Sequence, residues 1–323
     1  MICGIDIGGS KIELGVFCDQ YKMQNNWRVP TPTTDYAAFI DVLVKLVKQA
    51  DSYSSQASTE QRKQVQVGIG MAGLIDAQGK SLSANVPCAT GKNIVKDLSA
   101  RLNRPIAVEN DCRCFALSEA LGGAGEGFQN VFGAVIGTGS AGGLVINGQL
   151  YKSRQGIAGE YGHLQLPATL QQKYQLPRRP CGCGLPNCVE GFISGPGLLF
   201  LNRHFGGNAP SVPDLIESLR SGDPKASIIF DCYIDLLGAS FAALILSYDP
   251  DIIVLGGGLS LIDEIVEQLP ATIKPHLFAG FNTPTIKRAK FGDASGVRGA
   301  ALLTLSKQAL INYHAASCGE LTH

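Results

Sequence analysis

The pattern that most constrains the fold of this chain occurs twice. Met1–Ile7 and Ile12–Phe17 are apolar runs joined by Gly8-Gly9-Ser10-Lys11. Val131–Ile136 and Gly143–Ile146 are apolar runs joined by Gly137-Thr138-Gly139-Ser140-Ala141-Gly142. Runs this short, closed by glycine, read as strand–turn–strand units. Two such units about 130 residues apart point to a duplicated α/β architecture.

The segments around them alternate between strand and helix. Asp35–Gln49 carries Phe39, Ile40, Leu43, Leu46 and Val47 near helical spacing, with Thr34 placed to cap it. Residues 51–64, rich in Ser, Gln and Thr, read as a polar loop. Val65–Met71 is a strand ending in Ala72-Gly73, and Pro105–Val108 another that delivers Glu109-Asn110-Asp111, with Asp111 capping the next helix. Helices are predicted over Pro196–His204, Val212–Arg220 and Pro224–Ser247. Ile252–Leu255 is an apolar strand that meets Gly256-Gly257-Gly258, with a helix over Leu259–Leu269 after it. Gly296–Leu305 reads as a closing helix with small residues on one side, and the tail from Lys307 as patternless and frayed. This alternation predicts parallel-rich sheets covered by helices, to which the hairpins add antiparallel strands.

With 323 residues the chain is long enough for two domains. Apolar residues at 45% and charged residues at 17% suit an ordinary globular protein. A formal net charge of zero with no basic block argues against nucleic acid or an anionic membrane as partner. Leu236–Tyr248, the most apolar long stretch, is short for a membrane span. The start of the chain reads as strand and turn rather than a leader. Cysteines scattered outside one cluster fit a reducing compartment, so the expected location is cytoplasmic.

That cluster lies between Gly159 and Gly191. His163, Cys181, Cys183 and Cys188 form a Cys₃His set, the donors that tetrahedral structural zinc prefers; the alternative is a group of reduced thiols in a glycine-rich loop. Glu160 and Glu190 flank the set, where a metal knot would hold both carboxylates still. Three glycine turns, at Gly8-Gly9, Gly137-Thr138-Gly139 and Gly256-Gly257-Gly258, follow apolar strands. Turns of this kind bring backbone N–H groups close to a polyphosphate, and Ser10 and Thr138 add hydroxyl donors. Neither a Walker nor a Rossmann glycine pattern follows a strand. Asp6, at the end of the first strand, is placed either to position hydrated Mg²⁺ or to cap its own turn. Asp111 can accept the proton of an attacking hydroxyl while Asn110 holds a neighbouring one, or it can cap a helix.

Taken together, D-I-G-G-S-K (Asp6–Lys11), E-N-D (Glu109–Asp111), G-T-G-S-A-G-G (Gly137–Gly143), G-E-Y-G-H (Gly159–His163) and C-G-C-G-L-P-N-C-V-E (Cys181–Glu190) resemble the ROK family of sugar kinases, in order and over nearly the whole chain. Within the family, Ala84–Lys92 and Cys114–Ala120 are similar to the branch acting on N-acetyl-D-glucosamine. The resemblance implies two actin-like (ribonuclease H-like) ATPase domains with mixed sheets flanking an inter-domain cleft, divided as 1–110 with 300–323 and 111–299. It implies ATP-dependent phosphorylation of N-acetyl-D-glucosamine at its 6-hydroxyl, with glucose, N-acetylmannosamine or fructose as alternative acceptors, and a homodimer. Asp111 matches the family's catalytic base. Asn110, Glu160, His163 and Glu190 match sugar-binding positions, with Asn85 as a further contact. Asp6, Gly8, Gly9, Ser10 and Lys11 match one ATP phosphate turn; Thr138, Gly139, Ser140, Gly142 and Gly143 match the other, and Gly256 and Gly257 the adenosine motif. Cofactors are then ATP, Mg²⁺ and structural Zn²⁺.

Ser140-Ala141 departs from the family's usual Val-Gly pair, and Asn187 from a glycine. A sugar-responsive repressor of the same fold is the rival in another class. It calls for a DNA-binding module before the first glycine turn, which here starts at Gly8, so an enzyme is expected. A non-catalytic sugar-binding or ATPase-switch protein is a further alternative, and it requires that no phosphorylated sugar form.

Overall fold

The computed structural model describes residues 1–57 and 64–319. In chain order, strands β1 (Ile2–Ile7), β2 (Lys11–Phe17) and β3 (Met23–Pro30) precede helix α1 (Tyr36–Ala57). Next come β4 (Gln66–Met71), the short β5 (Leu74–Ile75) and β6 (Ser81–Leu82), α2 (Ile94–Leu102), β7 (Ile106–Asn110) and α3 (Asp111–Ala120). Then follow β8 (Asn130–Ile136), β9 (Ser140–Ile146), β10 (Gln149–Leu150), α4 (Ala168–Lys173), α5 (Glu190–Ile193), α6 (Gly195–His204), α7 (Val212–Arg220) and α8 (Pro224–Tyr248). The chain closes with β11 (Ile252–Gly256), α9 (Asp263–Ile273), β12 (Thr285–Arg288), α10 (Ser295–Leu302) and α11 (Lys307–Gly319).

Two sheets repeat one plan. Their orders are β3-β2-β1-β4-β7 and β10-β9-β8-β11-β12. In the first, β1–β2 and β2–β3 are antiparallel, while β1–β4 and β4–β7 are parallel. In the second, β9–β10 is antiparallel, and β8–β11 and β11–β12 are parallel. Each hairpin thus extends one edge of a parallel core reached through helical crossovers, the mixed arrangement the sequence predicts.

Two compact units result. One comprises Met1–Gln129, Gly143–Ala158 and Lys290–His323, the other Asn130–Gly142 and Gly159–Ala289. The division differs from a boundary at 110/111, because α3 packs on α10 in the first unit. A fully buried carboxylate, Glu119, fixes that packing. It accepts hydrogen bonds from the amides of Ala124 (3.0 Å), Lys290 (2.9 Å) and Phe291 (3.1 Å) and from Ser295 Oγ (2.6 Å). Four donors around one carboxylate replace its lost hydration.

In the first unit, Ile5, Leu14, Ile69 and their neighbours pack with Phe39, Leu43 and Val47 of α1 and Leu98 of α2. Ile2 and Phe17 join Val297 and Ala301 of α10 in a separate cluster. A Cβ at Gly4 or Gly68 would collide with the backbone of α10, which explains glycine at both strand positions. In the second unit, α8 packs against α6, α7 and α9. At 25 residues it is long and apolar enough to cross a membrane, yet 72% of its most apolar window is buried in the fold, so it is a core helix.

Several local expectations change. α1 runs on to Ala57, so residues 51–57 of the expected polar loop are helical, and 58–63 lie outside the described residues. The tail from Lys307 is helical through Gly319. The helix expected over Leu259–Leu269 is a 3-10 turn, Gly258–Leu261, followed by α9. Asn110, rather than Asp111, is the N-cap of α3, its side chain accepting the Arg113 amide at 3.2 Å.

Candidate active site

In the first unit, the carboxyl ends of β1, β4 and β7 carry the candidate chemistry. The turn after β1 is closed by Gly8 N–H donating to Lys11 O (3.0 Å) and braced by Thr31 Oγ1 donating to Gly8 O (2.8 Å). Ser10 and Lys11 are exposed at its tip. A Cβ at Gly9 would stand 3.0 Å from Asn85 O, so exposed Asn85 lies against this turn through its backbone.

Asn110 is buried, and its Nδ2 donates to Gly73 O (2.9 Å) and to Asp111 Oδ1 (2.9 Å). Asp111 Oδ1 also accepts the Cys112 amide at 2.9 Å. Burial pushes the Asp111 carboxyl above its ordinary value, against the pull of the Cys112 and Asn110 donors. Asp6 is pushed up to about 7, first by burial and then by the negative charge of Asp111. Two carboxylates thus face each other's fields at the ends of β1 and β7, with β4 between them. Arg113, which is not among the residues the motifs single out, is buried and pairs with Glu109 at 2.8 Å. It also donates to the carbonyls of Gly156 and Ala158. An arginine on a helix beside E-N-D was the available signal.

In the second unit, the turn after β8 is closed by Gly137 N–H donating to Gly139 O at 2.9 Å. The Ser140 amide donates to Glu190 Oε2 at 2.8 Å, and the buried Ser140 hydroxyl has no partner among the described residues. Ser140 N–H is therefore tied to Glu190. Gly142 and Gly143 are also explained by packing. A Cβ at Gly142 would meet the Phe132 ring, and one at Gly143 would stand 2.9 Å from Ala116 Cβ and Arg113 Cα.

Gly256 ends β11, Gly257 takes φ +79°, and Gly258 faces open space. A cavity of about 860 Å³ opens there, with Thr138 and Gly258 beside apolar walls from Val212 and Ile216 on α7 and from Leu259 and Ile262. Its wall uses Gly258, whereas Gly256 and Gly257 are absent from it. The α7 wall was not foreseen, since an amphipathic helix looks alike over a core and over a pocket.

The cysteine cluster assembles in the same unit. Donor atoms of His163, Cys181, Cys183 and Cys188 all lie within 4.8 Å of one another. Cys181 Sγ is 3.5 Å from His163 Nδ1, and Cys183 Sγ is 3.5 Å from Cys188 Sγ. A tetrahedral zinc with bonds of about 2.0–2.3 Å has Cys–Cys and Cys–His donor edges of roughly 3.5–3.8 Å, close to the two short pairs, with the remaining donors within 4.8 Å. Asn187, at φ +65°, takes the left-handed geometry of the glycine it replaces. Burial and the neighbouring sulfurs push the Cys188 thiol up to about 12, so a thiolate at that position needs a compensating cation. His163 Nε2 is 3.9 Å from Glu160 Oε2, which sets Glu160 beside the cluster.

A glycine turn at the same place in two like-ordered sheets is the frame of the two-domain, actin-like sugar kinases. The chain belongs to the ROK family, whose model matches residues 2–307. It is 46% identical to an N-acetylgalactosamine kinase of Shewanella sp. (strain ANA-3), over 98% of this chain and 100% of that one. It is 41% identical to an N-acetyl-D-glucosamine kinase of Salmonella newport (strain SL254), over 95% and 100%. Among solved structures it resembles the ROK hexokinase of Thermus thermophilus, with TM-score 0.81 and 28% identity over 94% of this chain and 97% of that one. A ROK glucokinase of Streptomyces griseus, in complex with glucose and AMPPNP, superposes with TM-score 0.72 and 28% identity over 94% and 98%. The chain is a ROK sugar kinase.

Proposed function

We propose that this kinase transfers the γ-phosphoryl group of ATP to the 6-hydroxyl of N-acetyl-D-glucosamine, giving the 6-phosphate and ADP. The observation that carries the reading is Asp111. It is buried at the start of α3, held by the Asn110 side chain and the Cys112 amide, and burial makes it a better base than an ordinary carboxylate. The sugar hydroxyl gives its proton to Asp111 as its oxygen bonds to the γ-phosphorus, and the bond to the β-phosphate oxygen breaks. Such transfers depend on positioning and electrostatics. We assign the remaining sugar contacts to Asn110, Glu160, His163 and Glu190, with Asn85 beside the first turn.

ATP phosphates suit the turns at Gly8–Lys11 and Gly137–Gly139, and the adenosine suits the cavity beside Gly258. Asp6 would hold hydrated Mg²⁺, which neutralises phosphate charge when bound; a carboxylate raised to about 7 beside a second one suits a cation. His163, Cys181, Cys183 and Cys188 would hold structural zinc, which keeps Glu160 and Glu190 in place.

A second acceptor is favoured by the 46% identity to an N-acetylgalactosamine kinase. That sugar shares the acetamido group and differs in configuration at C4. The test is an ADP-release assay over N-acetylglucosamine, N-acetylgalactosamine, N-acetylmannosamine, glucose and fructose, with the product's phosphate located by NMR. An acetamido sugar phosphorylated at O6 with the highest kcat/KM is expected. Glucose as the best acceptor would overturn the acetamido reading, and no sugar-dependent ADP would overturn the kinase reading.

A further inference from the structure

The geometry points to a second role for Glu190: it is a positioning residue that holds the nucleotide's phosphate turn in shape. This inference rests on the kinase reading above. The turn Gly137-Thr138-Gly139 contains two glycines, whose backbones lose the most freedom on ordering. Left to itself such a turn would present its amides poorly to a phosphate, so outside ties matter for preorganisation.

Two ties come from one short segment, residues 190–195. At its start, Glu190 Oε2 accepts the Ser140 amide at 2.8 Å. At its end, the Gly195 amide donates to Gly137 O at 2.7 Å. Ser194 N–H donating to Glu190 O at 3.2 Å fixes the distance between the two ends. The turn is thus gripped on both sides of Thr138, which lines the cavity.

The surroundings leave no slack. A Cβ at Gly139 would stand 2.8 Å from Glu190 Oε2. One at Gly162 would stand 3.0 Å from Ser140 Cβ and 3.1 Å from Glu190 Cβ. Glycine is needed at both places for the carboxylate to reach the Ser140 amide. Glu190 also follows Cys188 by two residues, so its backbone is anchored by the chain that forms the cluster.

Acceptor chemistry separates this role from sugar binding. Glu190→Gln keeps an acceptor oxygen for the Ser140 amide but loses the carboxylate offered to the sugar. Glu190→Ala loses both, and Glu190→Asp keeps the charge while withdrawing it by one methylene. Binding of Mg²⁺-AMPPNP without sugar is measured by calorimetry, and exchange of the 137–141 backbone amides by hydrogen–deuterium exchange. Alanine and aspartate are expected to weaken nucleotide binding by about tenfold or more and to speed exchange in the turn. Glutamine is expected to stay within about threefold of wild type for nucleotide while binding sugar at least about tenfold more weakly. Wild-type nucleotide affinity and exchange in Glu190→Asp or Glu190→Ala would overturn the role. Loss of nucleotide binding in Glu190→Gln equal to that in alanine would also overturn it. Wild-type chain that binds no nucleotide would overturn the kinase reading itself, a result distinct from either.

Discussion

Replacing Asp111 by asparagine isolates its chemistry from its structural work. Asparagine Oδ1 can still accept the Cys112 amide and the Asn110 side chain, both now at 2.9 Å from Asp111 Oδ1. Asn110 remains the cap of α3, so the helix start does not depend on position 111. Weakening two charge-assisted bonds to neutral ones costs about 1 kcal/mol or less each, and removing a buried charge offsets part of that. The reaction loses its proton acceptor, worth ~10²–10⁴ in rate. At 1.36 kcal/mol per decade this is about 3–5 kcal/mol of transition-state free energy. The assay is kcat at saturating ATP and sugar, with sugar affinity by calorimetry and melting temperature as controls. Affinity and melting should stay near wild type while kcat falls by at least about a hundredfold. A kcat within tenfold of wild type would refute the assignment of the base. In the wild type, a raised carboxyl that must be ionised to act means that rate falls as the medium becomes more acidic, from a pH above the ordinary value of 3.8.

Asp6 offers a check on stability. Its folded value of about 7 lies above its ordinary 3.8, so between those limits the folded chain holds a proton the unfolded chain has lost. The stability it lends is full below about pH 4 and declines as pH rises through 7. Asp6→Asn should therefore melt higher than wild type at pH 8 in magnesium-free buffer and lose most activity; an equal or lower melting point would count against the coupling. Chelation should remove one zinc per chain by elemental analysis, lower the melting temperature and raise the sugar Kd, because Glu160 and Glu190 lose their anchor. Metal-free chain that melts and binds sugar normally would deny the cluster its structural part.

Much of this architecture was legible because it is written in local chemistry. Apolar runs ended by glycine can do little but form strand and turn, and the two hairpins duly appear as β1–β2 and β8–β9. Three thiols and an imidazole of the right types were visible as a set before their convergence within 4.8 Å was known. Other roles could not be read, because one residue type serves several physical ends. Glycine looks the same whether it takes positive φ (Gly257), makes room for a packed neighbouring segment (Gly142 and Gly143) or opens onto a cavity (Gly258). Asn110 and Asp111 are both good caps, and only the path of β7 into α3 decides which one serves. Glu119 carries no sequence mark of the four donors that meet it, three of them from residues 290–295. Nor does Ser140 announce its bond to Glu190, fifty positions away. Side-chain types and their periodicity are properties of the chain itself; which groups lie within hydrogen-bonding distance is decided only when distant segments pack.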